Sequence, residues 1–287
     1  GTTMAAGNLG ETHNQGFELE LHHSNTIGKD FRYNIGFSFS HAKNKIVNMD
    51  EPAGKTDYRK REGHAINQFF GLVCDGYVTS ADLADANFPK STYGDVKVGD
   101  LKYRDMNGDG FIDSRDETFI GLSDIPENTY SLTLGATYKG WGFNVMFQGV
   151  DHVSRYYDAE AMYEFVNGGK VKSLHMGRWN PNMSEEWNLA NATYPLLHYD
   201  SFGNHNHQQN SFFLKNGAFL RLKNIELSYS LPMQWIKHLA MSECRLFVNA
   251  NNLITWDHLD DLVDPESSGS NKYPIMKTVN FGVNIKF

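Results

Sequence analysis

The sequence predicts an all-β fold whose antiparallel strands cross a membrane as part of a β-barrel. Three observations support this. Apolar and polar residues alternate with period two in about seven segments, the connections between segments are alternately long and short, and the last segment ends on the aromatic Phe287. Period two places successive side chains on opposite faces of a strand. A barrel strand has one face in lipid and the other toward the lumen.

The composition fits such a barrel and disfavours two other classes of protein. The chain has 287 residues and a formal net charge of -8, and its 26 basic residues form no cluster of the kind that nucleic acid requires. No run of about 18 apolar residues occurs, so no membrane helix is predicted. Aromatic residues make up 13% and the mean hydropathy is -0.50. A soluble β-sandwich has a similar average, so composition alone does not decide.

Alternation defines the predicted strands. The clearest pair, 130–138 and 141–148, is joined by Lys139-Gly140, which is a hairpin signal. The other segments are 17–22, 31–40, 224–231, 246–250 and 279–287. Their apolar face carries aromatic residues near strand ends, as the interfacial girdles of membrane barrels do. These residues are Phe31, Tyr130, Tyr138, Trp141 and Phe287.

The connections alternate in length. Residues 24–30, 139–140 and 232–243 form short links, whereas 48–127, 151–217 and 254–276 are long. Outer-membrane barrels have short periplasmic turns and long extracellular loops, and soluble domains seldom contain loops longer than about 15 residues. We therefore expect the three long loops to be extracellular and the C-terminus to be periplasmic. A soluble sandwich with large insertions is the alternative.

The last strand matches the signal that barrel-assembly machinery recognises, which is an alternating strand with a terminal aromatic residue. Its apolar positions are Phe281, Val283, Ile285 and Phe287. A buried edge strand would show the same alternation by chance, and the aromatic chain end favours the membrane interpretation.

An acidic loop at 105–116 is the sharpest local motif. Oxygen donors stand at the positions of a calcium loop, and Gly110 permits the sharp turn in its middle. The candidate ligands are Asp105, Asn107, Asp109, the backbone carbonyl of Phe111, Asp113 and Asp116. Asp116 replaces the usual glutamate, and flanking helices are not evident. A turn rich in Asp, Asn and Gly for backbone reasons is the alternative.

Other candidates carry weaker signals. His198, His205 and His207 could bind a transition metal, but a solvated loop explains them better. Residues 158–167 have helical spacing and predict a short helix. Trp179, Trp187, Tyr194, Trp256 and His258 could stack on sugar rings or hold peptide, or simply pack within loops. No catalytic motif is present, so we do not expect an enzyme.

Several segments together resemble the SusC/RagA family of TonB-dependent outer-membrane transporters. They are the stretch 99–113 with Ile120-Gly121, the stretch 219–232, Asn251-Asn252-Leu253, Asp264-Pro265-Glu266, Tyr273-Pro274 and the terminal strand. They follow the family's order, and the similarity runs from about Asn8 to Phe287. Each motif alone is weak, but the set is specific.

The resemblance implies a 22-stranded barrel with an N-terminal plug, a TonB-contacting segment and a SusD-like surface lipoprotein over its extracellular mouth. Such transporters import oligosaccharides or peptides. This chain would be the C-terminal part of that barrel, without the plug and the N-terminal strands. Polar residues would then line the lumen or contact the plug, namely Glu18, Glu20, Arg32, Asn144, Gln148 and Glu226.

Two hypotheses of other classes remain open. One is a self-contained small outer-membrane barrel or adhesin with a calcium-stiffened loop. The other is a soluble, calcium-dependent, glycan-binding β-protein. The sequence does not distinguish sugar from peptide as the substrate.

Overall fold

A computed structural model describes residues 9–157, 162–199, 204–259, 263–267, 273 and 275–287. It contains mostly antiparallel strands and a few short helices, and no helix of the described residues is long and apolar enough to span a membrane. The strands are β1 Glu11–Ile27, β2 Phe31–Asn48, β3 Gln68–Gly71, β4 Cys74–Tyr77, β5 Lys90–Ser91, β6 Leu101–Tyr103, β7 Phe111–Ile112, β8 Thr118–Ser123, β9 Asn128–Tyr138, β10 Trp141–Asp151, β11 Ser154–Tyr156, β12 Leu214–Asn216, β13 Phe219–Ser230, β14 Glu243–Asp257 and β15 Thr278–Lys286. The α-helices are α1 Ser80–Ala84, α2 Glu185–Asn191 and α3 Met233–Ile236.

One large sheet contains the seven predicted strands. Its order is β1-β2-β9-β10-β13-β14-β15, and every neighbouring pair is antiparallel. The antiparallel membrane-strand prediction is confirmed in its topology, and six of the seven strands are longer than predicted, whereas β15 has the predicted nine residues. β1 and β2 have 17 and 18 residues, so the predicted turn at 24–30 shrinks to 28–30. The sheet is open within the described part of the chain, with β1 and β15 at its edges.

The hairpin between β9 and β10 forms where the Lys139-Gly140 signal predicts it. Lys139 has φ 46° and Gly140 has φ 89°, and two positive φ values define the turn whose twist suits a two-residue hairpin. A Cβ atom at Gly140 would lie 2.9 Å from the carbonyl oxygen of Ser230, so the next strand also limits this position.

Strand register collects the apolar side chains into rows across one face of the sheet. Near the short turns, Phe31, Tyr138, Trp141 and Tyr229 are successive register partners. Near the long connections, the corresponding row contains Leu19, Phe39, Tyr130, Gly149, Leu220 and Trp256. Aromatic rows at both ends of an apolar band are the girdles expected of a membrane barrel.

This apolar face is open to its surroundings. Phe281 is 82% exposed, Phe17 59% and Trp141 53%, and no second sheet covers these rows in the part of the chain that the structure describes. A β-sandwich would bury such rows against its other sheet. The exposure of large side chains therefore favours a lipid-facing surface over a soluble sandwich core.

The three long connections pack together into one unit, which we call the loop assembly. It comprises the described residues of 49–127, 152–218 and 258–277. Its buried core takes residues from all three connections, which are Leu72, Leu101, Tyr103, Ile112, Tyr157, Met162, Tyr163, Tyr194, Phe213 and Leu259. The assembly also contains small two-stranded sheets, which are β3-β8, β4-β6, β5-β7 and β11-β12. Of the predicted helix at 158–167, residues 158–161 lie outside the described residues, and Val166–Gly168 at its other end form a short 3-10 helix.

We expect an arginine on the apolar face to destabilise the sheet in lipid more than one on the polar face. Leu134→Arg is expected to cost about 2–4 kcal/mol, because Leu134 lies midway along the apolar band. Thr133→Arg is the matched control, because Thr133 faces the side that already carries Arg32. Urea titration of protein refolded in lipid vesicles measures both. Equal losses would contradict the lipid-facing assignment.

Candidate functional site

Two buried carboxylates bind histidines of the loop assembly, and the first is Asp100. Its side chain is fully buried and accepts hydrogen bonds from His198 Nε2 at 2.6 Å, Asn206 Nδ2 at 2.9 Å and the backbone amide of Lys97 at 2.7 Å. A buried carboxylate requires such donors, because its unpaired charge would be costly. Asp100 therefore joins the first long connection to the second.

Glu164 is the second buried carboxylate. It accepts hydrogen bonds from the Tyr194 hydroxyl at 2.8 Å, the His198 backbone amide at 2.9 Å and His207 Nε2 at 3.1 Å. Burial raises the pKa of Glu164, but the hydrogen bonds from His207 and His198 and the charge of His207 outweigh it, so the pKa of Glu164 is about 2. His198 contacts both carboxylates and so links the two clusters.

The histidines are therefore structural members of the core. His198, His205 and His207 are 8%, 5% and 8% exposed, so the hypothesis of a solvated loop is wrong. His205 Nε2 donates to the carbonyl of Leu101 at 2.7 Å, and its Nδ1 lies 2.7 Å from the Ser91 hydroxyl. Burial lowers the pKa of His205 below its ordinary value of 6.5. Both ring nitrogens of His205 therefore contact the first connection and hold the second connection against it.

Two arginines attach the third connection to the rest. Arg155 donates to the backbone carbonyl of Asp124 at 2.7 Å and to that of Pro265 at 3.3 Å, so it bridges all three connections. Arg221, on β13 and 1% exposed, donates to both oxygens of Asp264 at 2.8 Å and pairs with Glu266 at 2.9 Å. Neither arginine was predicted as a site residue from the sequence. An arginine inside the apolar run 219–222 was the available signal.

The acidic loop closes on itself through internal hydrogen bonds. Asp105 accepts from the amides of Gly108 and Gly110 at 2.7 and 2.8 Å. Asp116, fully buried, accepts from the amides of Met106 and Asp113, both at 2.9 Å. A calcium loop and an Asp-rich turn share such bonds, so they do not decide between the two.

Arg115 is an internal cation of this loop. Its guanidinium lies 2.7 Å from a carboxylate oxygen of Asp109 and 2.7 Å from one of Asp113. The pKa of Asp113 is lowered, chiefly by its hydrogen bond with Arg115. No cluster of three or more His, Cys, Asp or Glu side chains suited to a metal ion occurs among the described residues. A calcium ion would have to displace Arg115, and calcium binding by Asp105, Asn107, Asp109, Phe111, Asp113 and Asp116 stays a prediction.

The polar face of the large sheet carries the residues predicted to line a lumen. Register places Glu18, Glu20, Arg32, Asn144, Gln148 and Glu226 on this face. One row crosses all seven strands, and it consists of Ser24, Asn34, Gly135, Asn144, Glu226, Asn249 and Asn280. Glu226 pairs with Arg245, and Asn280 donates to Asn249 at 2.9 Å. The row thus concentrates hydrogen-bonding groups on this face of the sheet.

The last strand and the predicted stacking residues have simple placements. Phe281, Val283, Ile285 and Phe287 all lie on the exposed apolar face, and their role as an assembly signal stays a prediction. Among the candidate stacking residues, Trp179 and Tyr194 are 3% and 1% exposed and belong to packing. Trp187, Trp256 and His258 are exposed. Only these three retain the free surface that stacking on a ligand requires.

An open antiparallel sheet with one apolar, exposed face and one polar face is the wall of a membrane barrel. Residues 1–253 match the family model for the TonB dependent receptor-like β-barrel, and the chain belongs to that family. It is therefore part of an outer-membrane barrel.

Individual relatives agree with this assignment. TonB-dependent receptor P3 of Formosa agariphila is 26% identical over 320 residues, which cover 100% of this chain and 30% of that protein. TonB-dependent receptor SusC of Bacteroides thetaiotaomicron is 23% identical, covering 98% of this chain and 27% of SusC. The structure of the RagAB peptide transporter is similar with a TM-score of 0.71 and 21% identity, covering 98% of this chain and 30% of that chain.

The SusC/RagA resemblance is thereby confirmed, and the chain spans about 30% of the length of the relatives that it matches. All three relatives are named as receptors or transporters, in agreement with the prediction that the chain is not an enzyme. The open sheet, with two edges that need further strands, does not support a self-contained small barrel.

Acidification is expected to loosen the loop assembly. Burial lowers the pKa of His175 and of His205 below 6.5, so the unfolded chain takes up protons that the folded assembly excludes, and stability falls as pH drops below 6.5. Glu164, with its pKa of about 2, stays ionised in this range and contributes no change. Limited proteolysis from about pH 7.5 to about pH 5.5 should show faster cleavage of the loops. His205→Gln should reduce the pH dependence, and His258→Gln, at an exposed position, should not. Cleavage independent of pH would contradict this.

Removal of Arg115 is expected to strengthen calcium binding. If calcium binds this loop, Arg115→Gln should tighten binding about fivefold, because it removes a competing exposed ion pair. Asp105→Ala with Asp109→Ala should abolish binding, and Arg104→Gln, whose ion pair with Asp75 lies outside the loop, is the control. Calorimetry measures all variants. No calcium binding by either the native protein or Arg115→Gln would remove the calcium hypothesis.

Proposed function

We propose that this chain is the C-terminal wall and loop portion of a TonB-dependent outer-membrane transporter that imports oligosaccharides or peptides. The observation that carries the proposal is the seven-stranded sheet with one lipid-facing and one polar face, joined at one end to a folded loop assembly. The polar face would line a 22-stranded lumen that a plug fills, and the plug, the remaining strands and the TonB-contacting segment would be partners of this chain.

The orientation follows from the same architecture. The loop assembly would be extracellular and the short turns, with the C-terminus, periplasmic. Barrel strands of the outer membrane are joined by short turns on the periplasmic side, and here the short turns lie at 28–30, 139–140 and 231–242. A packed loop assembly at the other end suits a surface that captures substrate before transport.

A SusD-like surface lipoprotein would dock on the loop assembly. Exposed apolar side chains support this part of the proposal, because large exposed apolar surfaces on otherwise packed units mark partner contacts. Met176 is 77% exposed, Trp187 43% and Leu189 51%, all within 173–191 of the second connection. Structural calcium in the acidic loop, where present, would stiffen the first connection beside this surface.

Cysteine labelling of whole cells tests the orientation. Met176→Cys in the loop assembly and Met233→Cys in a short turn replace exposed methionines, 77% and 56% exposed, in a Cys74→Ser, Cys244→Ser background. A membrane-impermeant maleimide should label position 176 in intact cells and position 233 only after the outer membrane is permeabilised. Labelling of position 233 in intact cells, with none at 176, would contradict the proposed orientation.

Uptake by the same cells tests the activity. Cells that lack the complete transporter should fail to accumulate its oligosaccharide or peptide, and the wild-type gene should restore uptake only while the inner membrane is energised. Trp187→Ala is expected to lower the recovery of the lipoprotein with the transporter, and Leu239→Ala, an exposed leucine in a short turn, is the control. Uptake that persists after de-energising would exclude a TonB-dependent mechanism.

A further inference from the structure

The outward face of the sheet becomes polar in one row of three adjacent strands. His41, Asn128 and Asp151 are register partners on β2, β9 and β10. His41 Nδ1 lies 2.7 Å from Asn128 Oδ1, and Asn128 Nδ2 donates to Asp151. His152 Nδ1 lies 2.7 Å from the same carboxylate oxygen of Asp151. These polar groups form a connected cluster on the face that elsewhere carries Phe, Leu and Tyr.

The cluster lies directly beyond the aromatic row near the long connections. Tyr130 follows Asn128 by two residues on β9, and Gly149 precedes Asp151 by two residues on β10. A Cβ atom at Gly149 would lie 2.4 Å from a ring carbon of Tyr130, so the glycine allows the ring to lie across β10 beneath Asp151. The cluster thus borders the lipid-facing surface, and the ring of Tyr130 packs beneath it.

Strand geometry places the cluster at the edge of the hydrocarbon layer. Tyr138 and Tyr130 are eight residues apart on β9, or about 26 Å along a strand at roughly 3.3 Å per residue. A barrel strand tilted by about 40° covers about 20 Å of depth over that length, which approaches the apolar band of roughly 25 Å. Asn128, one row further, therefore lies at the level of lipid headgroups.

A groove opens beside this cluster. Asp151, His152 and Lys215 line it together with the apolar side chains of Leu122 and Leu214, and its volume is about 500 Å³. His152 has φ 52°, a left-handed conformation that is uncommon for histidine and that turns the chain out of β10 at this point. The groove thus combines the ammonium group of Lys215, the imidazole of His152 and the carboxylate of Asp151 with apolar walls at the boundary between lipid and water.

We propose that this groove binds one phosphate-bearing lipid of the outer leaflet. Lys215 and His152 would donate to the phosphate, since charge-assisted hydrogen bonds are the stronger ones, and Leu122 and Leu214 would contact the first carbons of its acyl chains. Lys43, two residues beyond His41 on β2, is paired with Glu127 at 3.2 Å, so the proposed contacts to the phosphate are those of Lys215 and His152. The inference rests on the proposed orientation, which puts the ends of the strands near the long connections in the outer leaflet.

Lipid retention by the purified complete transporter tests the inference. Native mass spectrometry counts the phosphorylated glycolipids that remain bound to protein extracted from its own outer membrane. His152→Gln with Lys215→Gln should lower that count at least about tenfold, as loss of two charge-assisted contacts predicts. Lys237→Gln with His238→Gln is the matched control, since both side chains are exposed in a short turn at the opposite end of the sheet. A heat-modifiable gel shift verifies that both variants fold.

The outcomes separate the sources of the phosphate and the two proposals. Equal retention by the groove and control variants would overturn the inference. Displacement of the lipid by excess inorganic phosphate would show a free-phosphate site and would also overturn it, as would equal retention of dephosphorylated glycolipid. Loss of lipid by the groove variant alone supports it. The labelling of positions 176 and 233 reports orientation independently, so a reversed barrel is recognised without reference to lipid.

Discussion

The requirement that every backbone amide and carbonyl in lipid be hydrogen-bonded to a neighbouring strand governs the rest of this structure. The ladder between β1 and β2 runs from Glu11 opposite Asn48 to Ile27 opposite Phe31. Register and side-chain alternation are coupled, so a slip by one residue would exchange an apolar row for a polar one. The exposed rows of Phe, Tyr and Leu and the polar row on the opposite face therefore follow from the same set of hydrogen bonds.

The loop assembly depends on the sheet because the strands deliver all three long connections to one end. There the chain leaves the ladder and must satisfy its polar groups differently. Asp100 and Glu164 collect donors from two connections, and Arg221 holds Asp264 of the third on β13. Buried charges in such an arrangement constrain how the connections pack, because removal of one partner would leave another charge without compensation.

Three surfaces with different chemistry result. The polar face carries a row of amides with the Glu226 and Arg245 pair, the opposite face is apolar between two aromatic rows, and the loop assembly presents exposed Met176 and Trp187. The edges β1 and β15 each have one partner in the described sheet. A chain that spans about 30% of its relatives' length thus has both the apolar face and the polar face of a barrel wall. Its two edge strands require neighbouring strands to complete their hydrogen bonds.

The sequence by itself determined the strands, their two faces and the family. Alternation is a local property, and Lys139-Gly140 specifies its hairpin through the backbone angles that two residues allow. Tertiary structure decided what the long connections do. His198, His205 and His207 look solvated in a polar segment, yet Asp100, Leu101 and Glu164, distant in sequence, bury and bond them. The cluster of His41, Asn128 and Asp151 likewise exists only through register, because no local pattern specifies which residues three separate strands bring side by side.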